Sequence, residues 1–201
     1  KPQSANEPFK ATTVVLDSPW AKDRKLGHIG IQGYSMDKNA QPDSNLVFLL
    51  DVSGSMNSPD KLPLVKQSMN LLLGQLKPTD TVSIVVYAGA AGTVLSPTKV
   101  KNKSEIIAAM NKLSAGGSTA GGQGIELAYQ LAEENFKEDA VNRIILATDG
   151  DFNVGLNDRA QLQDYVERKR ETGIFLSVLG FGQGNYHDHL MQSLAQNGNG
   201  I

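Results

Sequence analysis

The sequence NLVFLLDVSGSM, at residues 45–56, decides the fold of this chain. Residues 46–50 form an unbroken apolar run, which is typical of a strand buried on both faces of a parallel sheet. The run ends in Asp51, and serines follow at alternate positions with Gly54 between them. A buried strand that leads into a polar, glycine-containing turn indicates an α/β protein with a ligand site at the carboxyl edge of its sheet.

Beyond this stretch, apolar strands alternate with amphipathic helices. Val65, Met69 and several leucines recur at three- and four-residue spacing, which predicts a helix that ends before Pro78. Residues 92–95 follow the strand at residues 81–87 closely enough to pair with it antiparallel. This alternation predicts a mostly parallel sheet with one short antiparallel edge strand and helices on both faces. The other predicted helices lie near residues 104–113, 125–136, 158–169 and 188–196, and the other strands near residues 143–147 and 174–179.

The first 44 residues differ in character from the rest of the chain. We predict an N-terminal extension over residues 1–44 and a separate domain over residues 45–201. The β-branched run at residues 12–16 and the alternating pattern around Ile29 predict two short strands in the extension.

Composition excludes several classes of function. The 201 residues carry 19 Lys and Arg against 21 Asp and Glu, a net charge of −2, so the basic footprint of a nucleic-acid-binding protein is missing. Because the chain has no cysteine, disulfides, thiolate zinc sites and thiol nucleophiles are excluded. No apolar run approaches the roughly 20 residues of a membrane span, so we expect no transmembrane segment in this chain.

Three oxygen-rich turns are predicted to meet at one edge of the sheet. The first holds Asp51 and the two serines, the second reads GGST at residues 116–119, and the third reads TDGD at residues 148–151. Hydroxyls and carboxylates, with neither His nor Cys, form a hard-oxygen donor set that suits Mg²⁺, Mn²⁺ or Ca²⁺. Two carboxylates balance the charge of one divalent cation and leave it able to accept a carboxylate from outside.

These residues resemble the metal-ion-dependent adhesion site (MIDAS) of von Willebrand factor type A domains. The family pattern is Asp-x-Ser-x-Ser, then a distant Thr and a distant Asp, and it is matched here by Asp51, Ser53, Ser55, Thr119 and Asp149. The resemblance covers about residues 45–200. It implies a Rossmann-like fold in which these five residues bind Mg²⁺, or alternatively Mn²⁺ or Ca²⁺. It also implies metal-dependent, adhesion-type recognition of a partner protein that presents an Asp or Glu, without enzymatic turnover.

The lead segment is similar to that of a bacterial group within this family, the YfbK type. In the lead segment the similarity rests on Trp20 and on the glycine motif at residues 30–33. The glycine motifs at residues 180–182 and 197–200 also resemble that group. Members of that group are often envelope or lipid-anchored proteins, which implies a location in the cell envelope. The family fold normally continues with a strand and a helix after the last motif. We therefore expect a truncated domain with an unpaired sheet edge along residues 174–179.

Two other functions remain open on the same residues. One is a Mg²⁺-dependent hydrolase or phosphoryl-transfer enzyme that uses Asp51, Asp149 and Asp151. Such an enzyme needs a general base or nucleophile beside the metal, and no His occurs in the three turns. The other is a structural scaffold with a vacant metal site. Phosphatase activity in Mg²⁺ distinguishes the enzyme, and partner capture that chelation abolishes distinguishes the binding module.

Overall fold

The computed structural model describes residues 7–35, 40–116, 121–150, 159–183 and 188–201. Its contacts group the chain into two compact units, Lys1–Gln41 and Pro42–Ile201. The first unit contains a two-stranded sheet and the second a five-stranded sheet.

The first unit is an antiparallel hairpin. Strand β1, Phe9–Asp17, pairs along its whole length with β2, Lys25–Gly33, in a register that sets Thr13 opposite Ile29. Its β-branched and apolar residues favour extended backbone. Two strands were expected in this segment, and each is longer than the sequence pattern predicts, with nine residues apiece.

The second unit is built on a mixed sheet. Its strands are β3 (Ser44–Asp51), β4 (Thr81–Tyr87), β5 (Ala91–Lys99), β6 (Val141–Thr148) and β7 (Ile174–Gly180). They lie in the order β5-β4-β3-β6-β7, and all neighbours are parallel except β4 and β5. The predicted mostly parallel sheet with an antiparallel edge strand is confirmed. The edge strand extends well beyond the predicted residues 92–95, and with two register shifts it pairs along the whole of β4.

Helices cover both faces of this sheet, as predicted. Val47 and Leu49 of β3 pack into one core layer, whereas Leu46, Phe48 and Leu50 pack into the other, because successive side chains of a strand point to opposite faces. The first layer contains α3 (Gly121–Glu134), α4 (Arg159–Arg170) and α5 (Asp188–Asn197), and the second contains α1 (Leu62–Leu73) and α2 (Lys103–Asn111).

In the described part of the chain, no helix has the length and apolar character that a membrane span requires.

Residues 198–201 run beside β7. The backbone amides of Leu176 and Val178 donate to the carbonyls of Gly198 and Ile201, at 2.9 and 2.8 Å. The expectation of an unpaired edge along residues 174–179 is therefore wrong for these two amides. The approach is so close that a Cβ on Gly200 would lie 1.9 Å from the carbonyl oxygen of Leu176.

Candidate metal centre

The carboxyl end of β3 carries the first group of candidate ligands. Asp51 is the last residue of the strand and is fully buried, and its Oδ1 accepts a hydrogen bond from the Ser53 backbone N–H at 2.9 Å. The hydroxyls of Ser53 and Ser55 lie 3.0 Å apart. Met56, also fully buried, anchors this turn in the core. One short turn therefore brings Asp51, Ser53 and Ser55 together.

The carboxyl end of the neighbouring strand β6 carries the second carboxylate. Asp149 follows this strand directly, and its side chain is only 5% exposed. Thr148 connects the two strand ends, because its Oγ1 donates to Asp51 Oδ2 at 3.2 Å and accepts from the Gly150 N–H at 3.1 Å. The φ of Gly150 is 93°, a conformation that glycine adopts without strain. The TDGD motif included Thr148, but sequence reasoning assigned it no role.

Burial dominates the electrostatics of Asp51. Loss of hydration raises the pKa of its carboxyl above the ordinary value, and the negative charge of Asp149 raises it further. Hydrogen bonds from Ser53 and Thr148 act in the opposite direction, because they stabilise the charged form. Two carboxylates in this confined place favour a cation beside them.

Sequence reasoning missed a lysine that lies between these loops. The Lys61 Nζ donates to Asp149 Oδ2 at 2.8 Å and to the backbone carbonyl of Ser55 at 3.1 Å. One signal was available, since Lys61 directly precedes α1, where the helix dipole disfavours a positive charge and an acid is expected nearby. The spacing does not identify that acid, because Asp149 is 88 residues away in the chain.

Two predicted residues fall outside the part of the chain that the structure describes. Thr119, the fifth predicted ligand, lies within residues 117–120, and Asp151, the additional acid of the enzyme alternative, lies within residues 151–158. Their places in the site stay predictions.

The donors that are described fit a hard divalent cation. They are the two carboxylates of Asp51 and Asp149 and the hydroxyls of Ser53 and Ser55, all of them oxygen ligands of the kind that Mg²⁺ and Mn²⁺ prefer. Among the described residues, no group of three or more His, Asp or Glu side chains lies close enough together to hold a metal. Among the described residues, a metal at this site would therefore need the hydroxyls of Ser53 and Ser55 beside the two acids.

The chain matches a known protein family and is similar in sequence to a bacterial protein. A profile of the von Willebrand factor type A domain matches residues 45–200. The chain is 43% identical to the protein YfbK of Escherichia coli (strain K12) over 199 residues, which are 99% of this chain and 35% of that protein. The chain thus spans about a third of the length of this relative.

Two solved structures have a similar fold. An aerotolerance-related membrane protein from Bacteroides fragilis NCTC 9343 has a TM-score of 0.61 and 23% identity, over 79% of this chain and 89% of that one. Proximal thread matrix protein 1 from the mussel byssus, with a zinc-occupied MIDAS motif, has a TM-score of 0.64 and 20% identity, over 77% of this chain and 42% of that one. At these identities, the likeness shows a shared fold.

Proposed function

This chain belongs to the von Willebrand factor type A domain family, and on that premise we propose that it is a divalent-metal-dependent protein-binding module. One observation carries the proposal: the Lys61 ammonium lies within hydrogen-bonding distance of two loops. These are the turn after β3 that contains Ser55, here called the β3 loop, and the turn after β6 that contains Asp149, here called the β6 loop. The space between these loops therefore accepts positive charge, which one carboxylate oxygen and one carbonyl oxygen contact. The proposed metal ligands are Asp51, Ser53, Ser55, Thr119 and Asp149.

The charge of the proposed ligands favours a partner that presents a carboxylate. A divalent ion bound here would supply a positive centre that can take an oxygen ligand from outside. Asp51 and Asp149 contribute −2 in total and the hydroxyls contribute none, so the protein ligands leave no excess negative charge to repel an incoming anion. A carboxylate gains more Coulomb attraction in this partly dry place than an amide or a hydroxyl gains. The proposed partner is therefore a protein with an Asp or Glu at its contact surface.

Mg²⁺ is the metal that we propose, with Mn²⁺ and Ca²⁺ as alternatives. The all-oxygen donor set supports this choice, because Mg²⁺ takes six oxygens and tolerates neutral ligands beside its carboxylates. The zinc in the MIDAS motif of the mussel protein supports a divalent cation at such a site without selecting one.

Two further proposals concern the setting of the site. We propose a cell-envelope location, which the membrane protein among the structural relatives supports. We also propose that residues 1–44 extend a von Willebrand factor type A domain that begins at residue 45. The separate sheet of the hairpin supports such an extension, and the contacts within the chain divide it three residues earlier, between Gln41 and Pro42.

Thermal unfolding in the presence of metal tests the proposed site. For a dissociation constant near 1 mM, addition of 10 mM Mg²⁺ stabilises the fold by about 1.4 kcal/mol. The melting temperature then rises by roughly 3–6 °C for a chain of this size. Asp51→Asn and Thr119→Ala should lose most of that rise, whereas Asp17→Asn and Thr93→Ala, at exposed positions, should keep it. If Mg²⁺, Mn²⁺ and Ca²⁺ all leave the melting temperature of the parent unchanged, the metal site is wrong.

Metal-dependent capture tests recognition. The immobilised chain is exposed to an envelope extract of a bacterium that encodes it, once in Mg²⁺ and once in EDTA. An immobilised Asp149→Asn variant is treated in the same way. We expect a protein that the parent retains only in Mg²⁺, and whose retention ends when its contacting acid is changed to Ala. Equal retention in EDTA contradicts the carboxylate contact. Mg²⁺-dependent hydrolysis of p-nitrophenyl phosphate by the parent would instead favour the enzyme alternative.

A further inference from the structure

Lys61 is the least expected component of this site. Its ammonium bridges Asp149 Oδ2 and the carbonyl of Ser55, and its side chain is only 20% exposed beside an Asp149 side chain that is 5% exposed. Water screens such a pair poorly, so the attraction between the two charges is stronger than in an exposed ion pair.

The aliphatic part of the Lys61 side chain packs against Gly182, where a larger residue would collide with it. A Cβ on Gly182, in the segment after β7, would lie 2.5 Å from Lys61 Cε and 3.1 Å from Lys61 Cγ. Gly182 also has a φ of +84°, which favours glycine at this position. The lysine is therefore held by its neighbours at a helix N-terminus, where the helix dipole opposes its charge.

We propose that Lys61 is a built-in cation that competes with the divalent metal for Asp149 and so sets the metal concentration at which the site loads. This inference rests on the proposed metal function and concerns its regulation. A metal and an ammonium on the same carboxylate repel each other, so loading the site at Asp149 weakens the Lys61 contact with Oδ2. Below that concentration, the ion pair keeps the β3 and β6 loops together.

Calorimetric titration with MnCl₂ tests the competition. Lys61→Met deletes the charge and keeps a stem that packs on Gly182, and we expect it to bind Mn²⁺ at least about tenfold more tightly than the parent. Lys66→Met is the matched control, because this second lysine belongs to α1 and donates to the carbonyls of Leu113 and Asn111 instead. The affinity of Lys66→Met for Mn²⁺ should equal that of the parent. Lys61→Arg keeps the charge, so its affinity for Mn²⁺ should stay within about threefold of that of the parent.

Thermal unfolding in EDTA provides a second readout. Lys61→Met should melt below the parent in EDTA, because Asp149 loses its ion pair with Lys61, and excess Mn²⁺ should remove that difference. If Lys61→Met does not fold, Lys61→Gln replaces it, since its amide can still donate to Asp149 without carrying a charge. If the parent binds Mn²⁺ and the uncharged Lys61 variant binds it no more tightly, the proposed competition is wrong and the metal function stands. Absence of Mn²⁺ binding in parent and variant alike overturns the metal function as well.

Discussion

Single residues at this site either carry charge or hold the charged groups in place. Asp51 and Asp149 carry the negative charge, and Lys61 supplies the positive charge beside them. Thr148 carries none, yet its hydroxyl contacts both Asp51 and the Gly150 amide in a buried place. Because the contact with Asp51 joins the ends of two strands, we expect Thr148 to affect both stability and metal affinity.

Thr148→Val keeps the shape of the side chain and removes its hydroxyl. Asp51 Oδ2 then loses a donor and the Gly150 N–H loses an acceptor, so unfolding in urea should show a loss of about 1–3 kcal/mol. Thr148→Ser keeps the hydroxyl and should lose clearly less. A valine variant as stable as the parent would show that the hydrogen bonds contribute nothing to the folded state.

At the scale of elements, side chains next to the ends of strands link neighbouring strands. Asp43, just before β3, accepts a hydrogen bond from the Thr79 hydroxyl at 2.8 Å and pairs with Lys77 at 2.7 Å. The hydrogen bond from Lys77 and then that from Thr79 lower the pKa of Asp43 below its ordinary value of 3.8. The ion pair therefore links the beginning of β3 to the turn that precedes β4.

The lowered pKa of Asp43 predicts a specific dependence of stability on pH. The unfolded chain binds a proton at Asp43 more readily than the folded chain, so this contribution is complete above the ordinary pKa of 3.8. It is lost as the pH falls through the lower, folded value. In urea unfolding between pH 6 and pH 2, Asp43→Asn should lose less stability on acidification than the parent. Parallel pH profiles for the two chains would contradict the assignment.

Another prediction concerns the edge strand β7 and the segment beside it. Gly200→Ala places a Cβ 1.9 Å from the Leu176 carbonyl oxygen, so residues 198–201 must move away from the strand. The amides of Leu176 and Val178 should then exchange with solvent deuterium at least about tenfold faster. Gly92→Ala is the control, because a Cβ there meets no atom within 4 Å. Unchanged protection in Gly200→Ala would mean that these amides do not depend on residues 198–201.

At the scale of the whole molecule, the chain divides into two units between Gln41 and Pro42. Both core layers and all described candidate ligands lie in the second unit. We predict that residues 42–201 alone fold cooperatively and show the same rise in melting temperature in Mg²⁺ as the full chain. Scanning calorimetry with and without Mg²⁺ measures both properties. A folded second unit without the metal response would show that the first unit contributes to the site.

The sequence by itself determined the class of the fold and the order of its elements, and it proposed four candidate site residues that the structure describes. Strands and helices can be recognised from short stretches of sequence, because their apolar periods repeat within a few residues. Turns can be recognised in the same way, because residues such as Gly54 within the turn indicate it. The five-position pattern from Asp51 to Asp149 identified the family for the same reason, since each part of it follows a strand or precedes a helix.

Tertiary structure alone decided which of these parts meet and what lies between them. Thr148 and Asp51 are 97 residues apart and Lys61 and Asp149 are 88 apart, and they touch because β6 pairs with β3 in a particular register. The same is true of residues 198–201, whose place beside β7 depends on backbone clearance at Gly200. No local pattern contains such contacts, because they follow from how the two layers pack on the sheet and bring distant loops to one edge.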